Sequence, residues 1–375
     1  MATALLLHTR AVDPSPRGIW LVSPFYDLAF IILSAALAAL PHVAHSLSRS
    51  TVFVDLAVTM LIGGPHLFAT YTMTVMEPGF RARYPRYAKG ALLLPVVIVT
   101  LAITNLTLLV TVFFFWASVH VIHQAAFVAD AYRLKDPRGW SWTSRVIDYG
   151  LLFTSMYPIA TAKLMHGDFH TGGRALLFPG FLQFGFLPPL VWAAFLGFLL
   201  AFLTKTAWEI RHRRFHGPKT LHLAVATTLF ALTPTLANLD VAFEGLNVWH
   251  SFQYLAVVLY LNRLREQRGL IGSRLVRTVS RRGARLYGLC LAFTIGAGML
   301  FLALLGAVVR LGVFASGAPM GNFLFGTVHS EQHYFAFYSV ILSFLLVHYY
   351  FDHFIFLHAD AKITPTFEPL AAEAA

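Results

Sequence analysis

GALLLPVVIVTLAITNLTLLVTVFFFWASVHVIHQAAFVA, residues 90–129, runs for forty residues without one charged side chain. A helix that crosses the hydrocarbon core of a bilayer needs about 20 largely apolar residues. As a single helix this stretch would be about 60 Å long at 1.5 Å per residue, about twice the hydrocarbon thickness. It therefore reads as two spans folded back near Asn105. Working outward in both directions, apolar runs between charged or Gly/Pro-rich breaks give ten expected spans. They are roughly 22–41, 52–76, 90–106, 108–132, 146–164, 188–208, 220–238, 245–262, 286–309 and 333–357.

The expected fold is thus all-α: a polytopic integral-membrane helical bundle of about ten transmembrane helices, forming a single domain over 1–375 with no separate soluble domain. Composition agrees. Hydrophobic residues make up 57% of the 375 and charged residues 12%, about half the charge of an ordinary soluble domain. The single cysteine, Cys290, excludes a disulfide framework and a thiolate-based metal site. The first residues are too short an apolar run for a cleaved signal peptide.

The net charge of +11 would suggest nucleic acid on a soluble protein, but the placement of the cations points elsewhere. The even-numbered loops hold 21 of the 28 Lys and Arg residues, eight of them between Arg263 and Arg285. The odd-numbered loops hold only Arg49, Arg174 and Arg310. Cytoplasmic loops retain Lys and Arg, so the even loops and both termini are expected to be cytoplasmic. The expected partner of this charge is the lipid bilayer and its anionic headgroups, with no nucleic acid.

Seventeen histidines are many for so apolar a chain. An ionisable group inside a span is costly and marks a functional site by default. His8, His42, His45, His166, His170, His212, His216 and His358 fall in tails, loops or span ends and read as solvated, and His222 as interfacial. Eight lie deeper: His66, His120, His123, His250, His329, His333, His348 and His353. Counting to the next cytoplasmic marker places His66, His120, His123, His250 and His348 about 15–21 Å above it, at 1.5 Å per residue. These five come from spans two, four, eight and ten, which all run from outside to inside. Histidines that merely bond to neighbouring helices have no reason to share a height, whereas a common metal centre gives one. Neutral imidazole is a ligand for iron, copper and zinc.

Pro65 is expected to kink its helix and aim His66. Gln124, Gln253 and Asp352 are candidates to orient imidazoles through the second ring nitrogen. Tyr254 and Asp352, each one turn past a histidine, are the candidate catalytic residues; Tyr254 would donate a hydrogen bond to an oxygen species or simply pack. His329 and His333 read as lying near the outer rim, and His353 faces away from His348.

These motifs resemble those of the bacterial Brp/Blh β-carotene dioxygenases. Gly63-Gly64-Pro65-His66 is similar to that family's Gly-x-Pro-His segment, and Val121-Ile122-His123, followed by Ala129-Asp130, to its Ile-His segment. Trp249-His250-Ser251 resembles its Ile-His-Ser. Val347-His348, followed by Asp352 and Phe354-Ile355-Phe356, resembles its final helix. The four matches fall in the same order and cover about 40 residues. The resemblance implies multi-pass enzymes that hold non-haem Fe(II) through histidines and use O2 to cleave an apolar isoprenoid. It makes His66, His123 and His250 ligands and His348 a ligand or its close neighbour, in a bacterial inner (cytoplasmic) membrane. This chain departs from the family at Tyr254, where a second histidine is usual, in the longer His123–Asp130 spacing, and in its greater length and span count.

The leading expectation is an integral-membrane non-haem iron oxygenase or oxidase acting with O2 on an apolar isoprenoid or lipid, with carotenoid cleavage as one form of it. Two alternatives stay open. One is a di-metal desaturase- or hydroxylase-like enzyme, although the clustered histidine boxes of that class are missing. The other is a non-enzymatic protein: a haem electron carrier, or a metal or proton transporter. The sequence names no redox partner.

Overall fold

Asn105 breaks the charge-free stretch. Its backbone leaves helical geometry (φ −158°, ψ 79°), and its side-chain oxygen accepts the Leu108 N–H at 3.0 Å, capping the helix that follows. The computed structural model describes residues 19–136, 141–171, 174–267, 269–311 and 331–357. It is all-α apart from one two-stranded ribbon, His170–Thr171 against Arg174–Ala175.

The principal helices are α1 (Pro24–Ser48), α2 (Thr51–Met73), α3 (Pro85–Thr104), α4 (Leu106–Leu134), α5 (Trp142–Ser155) and α6 (Tyr157–His166). They continue as α7 (Leu187–Arg211), α8 (Gly217–Leu232), α9 (Leu239–Gln267), α10 (Gly283–Arg310) and α11 (Glu331–Leu357). Among the described residues, seven helices are long and apolar enough to cross a membrane: α1, α2, α3, α4, α7, α10 and α11. Their outward faces carry large apolar residues such as Leu92, Leu93, Leu200 and Met299, the surface expected where lipid is the solvent.

The other expected spans are helical but differ in kind. The 146–164 segment is interrupted at Met156, just before Pro158, and splits into α5 and α6. Helix α8 has only 16 residues before a 3₁₀ turn at Thr233–Thr235. Helix α9 has 29 residues but carries Asp240, Glu244, Asn247, His250 and Gln253. It packs against α1 and α2, and Trp249, His250, Ser251, Gln253 and Tyr254 are all buried. A helix shielded by its neighbours need not be apolar, because those neighbours, not lipid, satisfy its polar groups.

Two devices hold the bundle. At one end, the fully buried Asp148 of α5 pairs with Arg133 of α4 at 2.8 Å, with Lys219 of α8 at 3.3 Å and with Lys205 of α7. One carboxylate thus ties three other helices together. Near the middle, Gly64 lets α2 approach α10: a Cβ there would lie 2.3 Å from the Thr294 methyl carbon.

Candidate metal centre

Helix α2 departs from regular geometry just before His66. Residues Thr59–Gly63 form a π-helical turn, and Pro65 has no N–H to give the carbonyl of Leu61, four residues earlier. The Tyr287 hydroxyl of α10 donates to that carbonyl instead, at 2.7 Å. The freed backbone group is thereby satisfied, and the bulged turn re-aims the next side chain. His66 points inward and is 1% exposed.

Four histidines meet there: His66 of α2, His120 of α4, His250 of α9 and His348 of α11, all buried. One ring nitrogen from each lies within 4.8 Å of the others. The Nε2 atoms of His66 and His250 are 3.2 Å apart, as are those of His120 and His250. Two nitrogens bound at about 2.1 Å to one ion, at an angle of about 100°, stand about 3.2 Å apart. Tyr349 stacks on the His120 ring at 4.0 Å between centroids and holds its plane.

Hydrogen bonds at the far ring nitrogens select the tautomers. His66 Nδ1 faces the Gly63 carbonyl at 2.9 Å, an acceptor only, so Nδ1 carries the proton and Nε2 a lone pair. The Ser251 hydroxyl, 3.0 Å from the same Nδ1, donates its own hydrogen to Asn247. On α11, His348 Nδ1 lies 2.6 Å from the Thr70 hydroxyl, and Thr70 donates to Asp352 at 2.9 Å. With its hydrogen committed, Thr70 accepts from His348, again leaving Nε2 as a lone pair. Fixing a ring in this way is how outer groups tune a metal-binding imidazole.

Thr70, Gln124, Tyr254 and Asp352 each follow one of the four histidines by four residues. They form a polar layer one helical turn below the imidazoles, so the four helices run in the same direction through the site. Tyr254 donates to Asp352 at 2.6 Å and lies 2.6 Å from Thr70. Asp352 is fully buried, and its second oxygen makes no hydrogen bond. That oxygen is 3.5 Å from His348 Nε2, which is likewise without a hydrogen bond, and 3.9 Å from His120 Nε2. Two orphaned buried atoms and a carboxylate without a Lys or Arg partner among the described residues are costly. A divalent cation among the nitrogens would satisfy all of them. The donor set, imidazoles with one carboxylate oxygen at the edge, suits iron, zinc or copper.

The candidate site residues are placed as follows. His66, His120, His250 and His348 come together. His123, a ligand by the motif resemblance, does not join them. Three residues turn an α-helix about 300°, and that offset sets its ring against Phe153 and His353 on another face. Tyr254 and Asp352 lie beside the cluster but bond to each other and to Thr70. Among the described residues Gln124 and Gln253 make no hydrogen bond to an imidazole: Gln124 donates to the His250 carbonyl and to Gln253, which donates to the Ile31 carbonyl, tying α4, α9 and α1. His222 is fully buried rather than interfacial, facing the Ala125 carbonyl at 2.9 Å, and His216 is a buried helix cap. His329 lies outside the described residues, and of His333 only the helical backbone is described. Thr70 is the residue the sequence reading missed; its place one turn after His66 was the available signal.

No protein-family model, curated protein or solved structure matches the chain.

Proposed function

We propose that this protein is an integral-membrane non-haem iron enzyme that uses O2 to oxidise an apolar isoprenoid or lipid drawn from the bilayer. The observation that carries the reading is the meeting of four imidazoles from four helices, two of them with the proton held on Nδ1 and Nε2 left as a lone pair. His66, His120, His250 and His348 hold the ion, with Asp352 supplying negative charge at its edge. The resemblance to the Brp/Blh dioxygenases supplies the reaction class, with His120 in the position that the motif gave to His123. Ferrous iron held by histidines would supply O2 activation. The chain's own residues orient the rings, keep the site dry and hold a proton between Tyr254, Thr70 and Asp352.

The topology belongs to the same reading. Helix α9, the α5–α6 pair and α8 with its 3₁₀ extension cross the membrane with the seven apolar helices, giving ten crossings. The cation-rich loops support cytoplasmic termini, and the motif resemblance supports a bacterial inner membrane as the address. Elemental analysis of the purified protein tests the centre: about one iron per chain is expected. Metal absent from both purified and reconstituted protein would overturn the reading, and two irons per chain would favour a di-metal enzyme.

A further inference from the structure

On the N-terminal side of the histidine layer, a cavity of about 80 Å³ lies between α4, α6 and α9. Its lining is mostly aromatic and aliphatic, and among the described residues it contains no charged side chain and no imidazole. Ala117 of α4 precedes His120 by three residues, Leu246 of α9 precedes His250 by four, and both line the cavity. Residues so spaced share a helix face, with Cβ atoms about 5–6 Å apart. The cavity thus borders the edge of the site where His120 and His250 bring their Nε2 atoms within 3.2 Å. Phe114 and Phe243, with ring centroids 4.8 Å apart, line both this cavity and a larger one of about 180 Å³. The larger one borders the other edge, through Gly63 and Gly64 before His66 and Leu345 before His348.

Space alone would admit water to the smaller cavity, since one molecule needs about 10–15 Å³. A buried water also needs about two to four polar partners, and the wall has few to give. Its side-chain hydroxyls are those of Ser118, Tyr157 and Thr233. Ser118 donates to the Phe115 carbonyl at 2.8 Å, which leaves its oxygen to accept from Tyr157 at 3.1 Å. Thr233 donates to the Leu229 carbonyl at 2.8 Å. All three hydroxyl hydrogens are spent on protein partners, so no lining side chain has one to offer a water. Apolar cavities of this kind stay dry and take apolar guests; one of about 150 Å³ accommodates benzene or xenon. At about 80 Å³, the guest that fits is a monatomic or diatomic gas.

We infer that this cavity is a binding site for a small apolar gas, O2 in the working protein, held beside His120 and His250 and kept apart from the larger cavity by Phe114 and Phe243. Gas binding stands on the cavity alone, whereas delivery of O2 to the centre rests on the metalloenzyme reading. The partition has a chemical consequence. The gas waits at one edge of the histidine layer, and whatever fills the larger cavity does not displace it.

The test uses the full chain, crystallised from a lipidic mesophase and pressurised with xenon, metal-free and after loading with ferrous iron. Anomalous density is expected between Ala117, Ala160 and Leu246 in both forms. Ala160→Leu, which fills the cavity from the α6 side, should abolish that density, and the milder Ala160→Val should reduce it. In the iron-loaded protein nitric oxide stands in for O2, and the rate at which it changes the spectrum of the iron should fall several-fold in Ala160→Leu with metal content unchanged. Ordered waters, a lipid chain or no xenon in the parent cavity would overturn the inference. So would an unchanged nitric oxide rate in a variant that has lost xenon. A chain that holds xenon but no metal sinks the iron centre alone, and one that holds metal but no xenon sinks the gas site alone.

Discussion

Thr70→Val is the sharpest probe of the centre, because it leaves all four imidazoles and nearly the full side-chain volume in place. It removes one hydroxyl that lies 2.6 Å from His348 Nδ1, 2.6 Å from Tyr254 and 2.9 Å from Asp352. His348 then has no acceptor for its Nδ1 proton, and the tautomer that offers Nε2 to the ion loses its support. An unpaired buried donor costs about 1–3 kcal/mol, which is about 5–150-fold in an equilibrium constant. Loss of an outer-shell partner typically costs about 10–100-fold in metal affinity. Both routes predict an apparent Kd for iron raised about 10–100-fold, measured by competition against a graded series of chelators. Thr70→Ser keeps the hydroxyl and should stay close to the parent value, while a thermal melt confirms that both variants are folded. If Thr70→Val bound metal as tightly as the parent, with an unchanged coordination spectrum, the assigned tautomer and the role of Thr70 would both be wrong.

His66→Ala and His250→Ala should each lose most of the bound metal in a folded protein, whereas His45→Ala and His123→Ala should retain it; elemental analysis decides. Asp148→Asn removes the buried charge shared by Arg133, Lys205 and Lys219, and the uncompensated cations should cost about 3–5 kcal/mol, read as a lower unfolding midpoint in detergent. Gly64→Ala drives a methyl group into Thr294 and the Thr59 carbonyl. It should destabilise the α2–α10 contact by about 1–3 kcal/mol, and elemental analysis should show lower metal occupancy because His66 lies two residues away.

The shared level of the four histidines was legible in the sequence because distance along a helix converts directly into height. His66, His120, His250 and His348 were found by counting residues to the next charge, with no knowledge of which helices touch. The choice between His120 and His123 was not legible that way. They differ by one turn in height but by rotation in facing, and facing depends on neighbours that only the packed bundle supplies. The motif resemblance pointed to His123, while the ring that meets His250 is His120. The span count was legible only in part: seven described helices have the length and apolarity of a crossing, and α9 is not among them. Hydropathy works for helices that touch lipid, such as α3 and α7, and loses meaning for α9, whose polar residues are answered by surrounding protein. Gln124 and Gln253 looked like partners for imidazoles because of their spacing, but they bond to each other and to backbone carbonyls. The Asp148 pin draws on four helices, and no local pattern links those positions.

His66 and His348 are separated by 282 positions, and the helix bearing His348 is the last one described. During synthesis the pocket therefore lacks its fourth wall until the helix that carries His348 has been made. Any ion captured earlier would meet three rings at most and be held weakly. If the proposed ion binds, its loading would report that all four helices have met, and a shortened chain would stay bare.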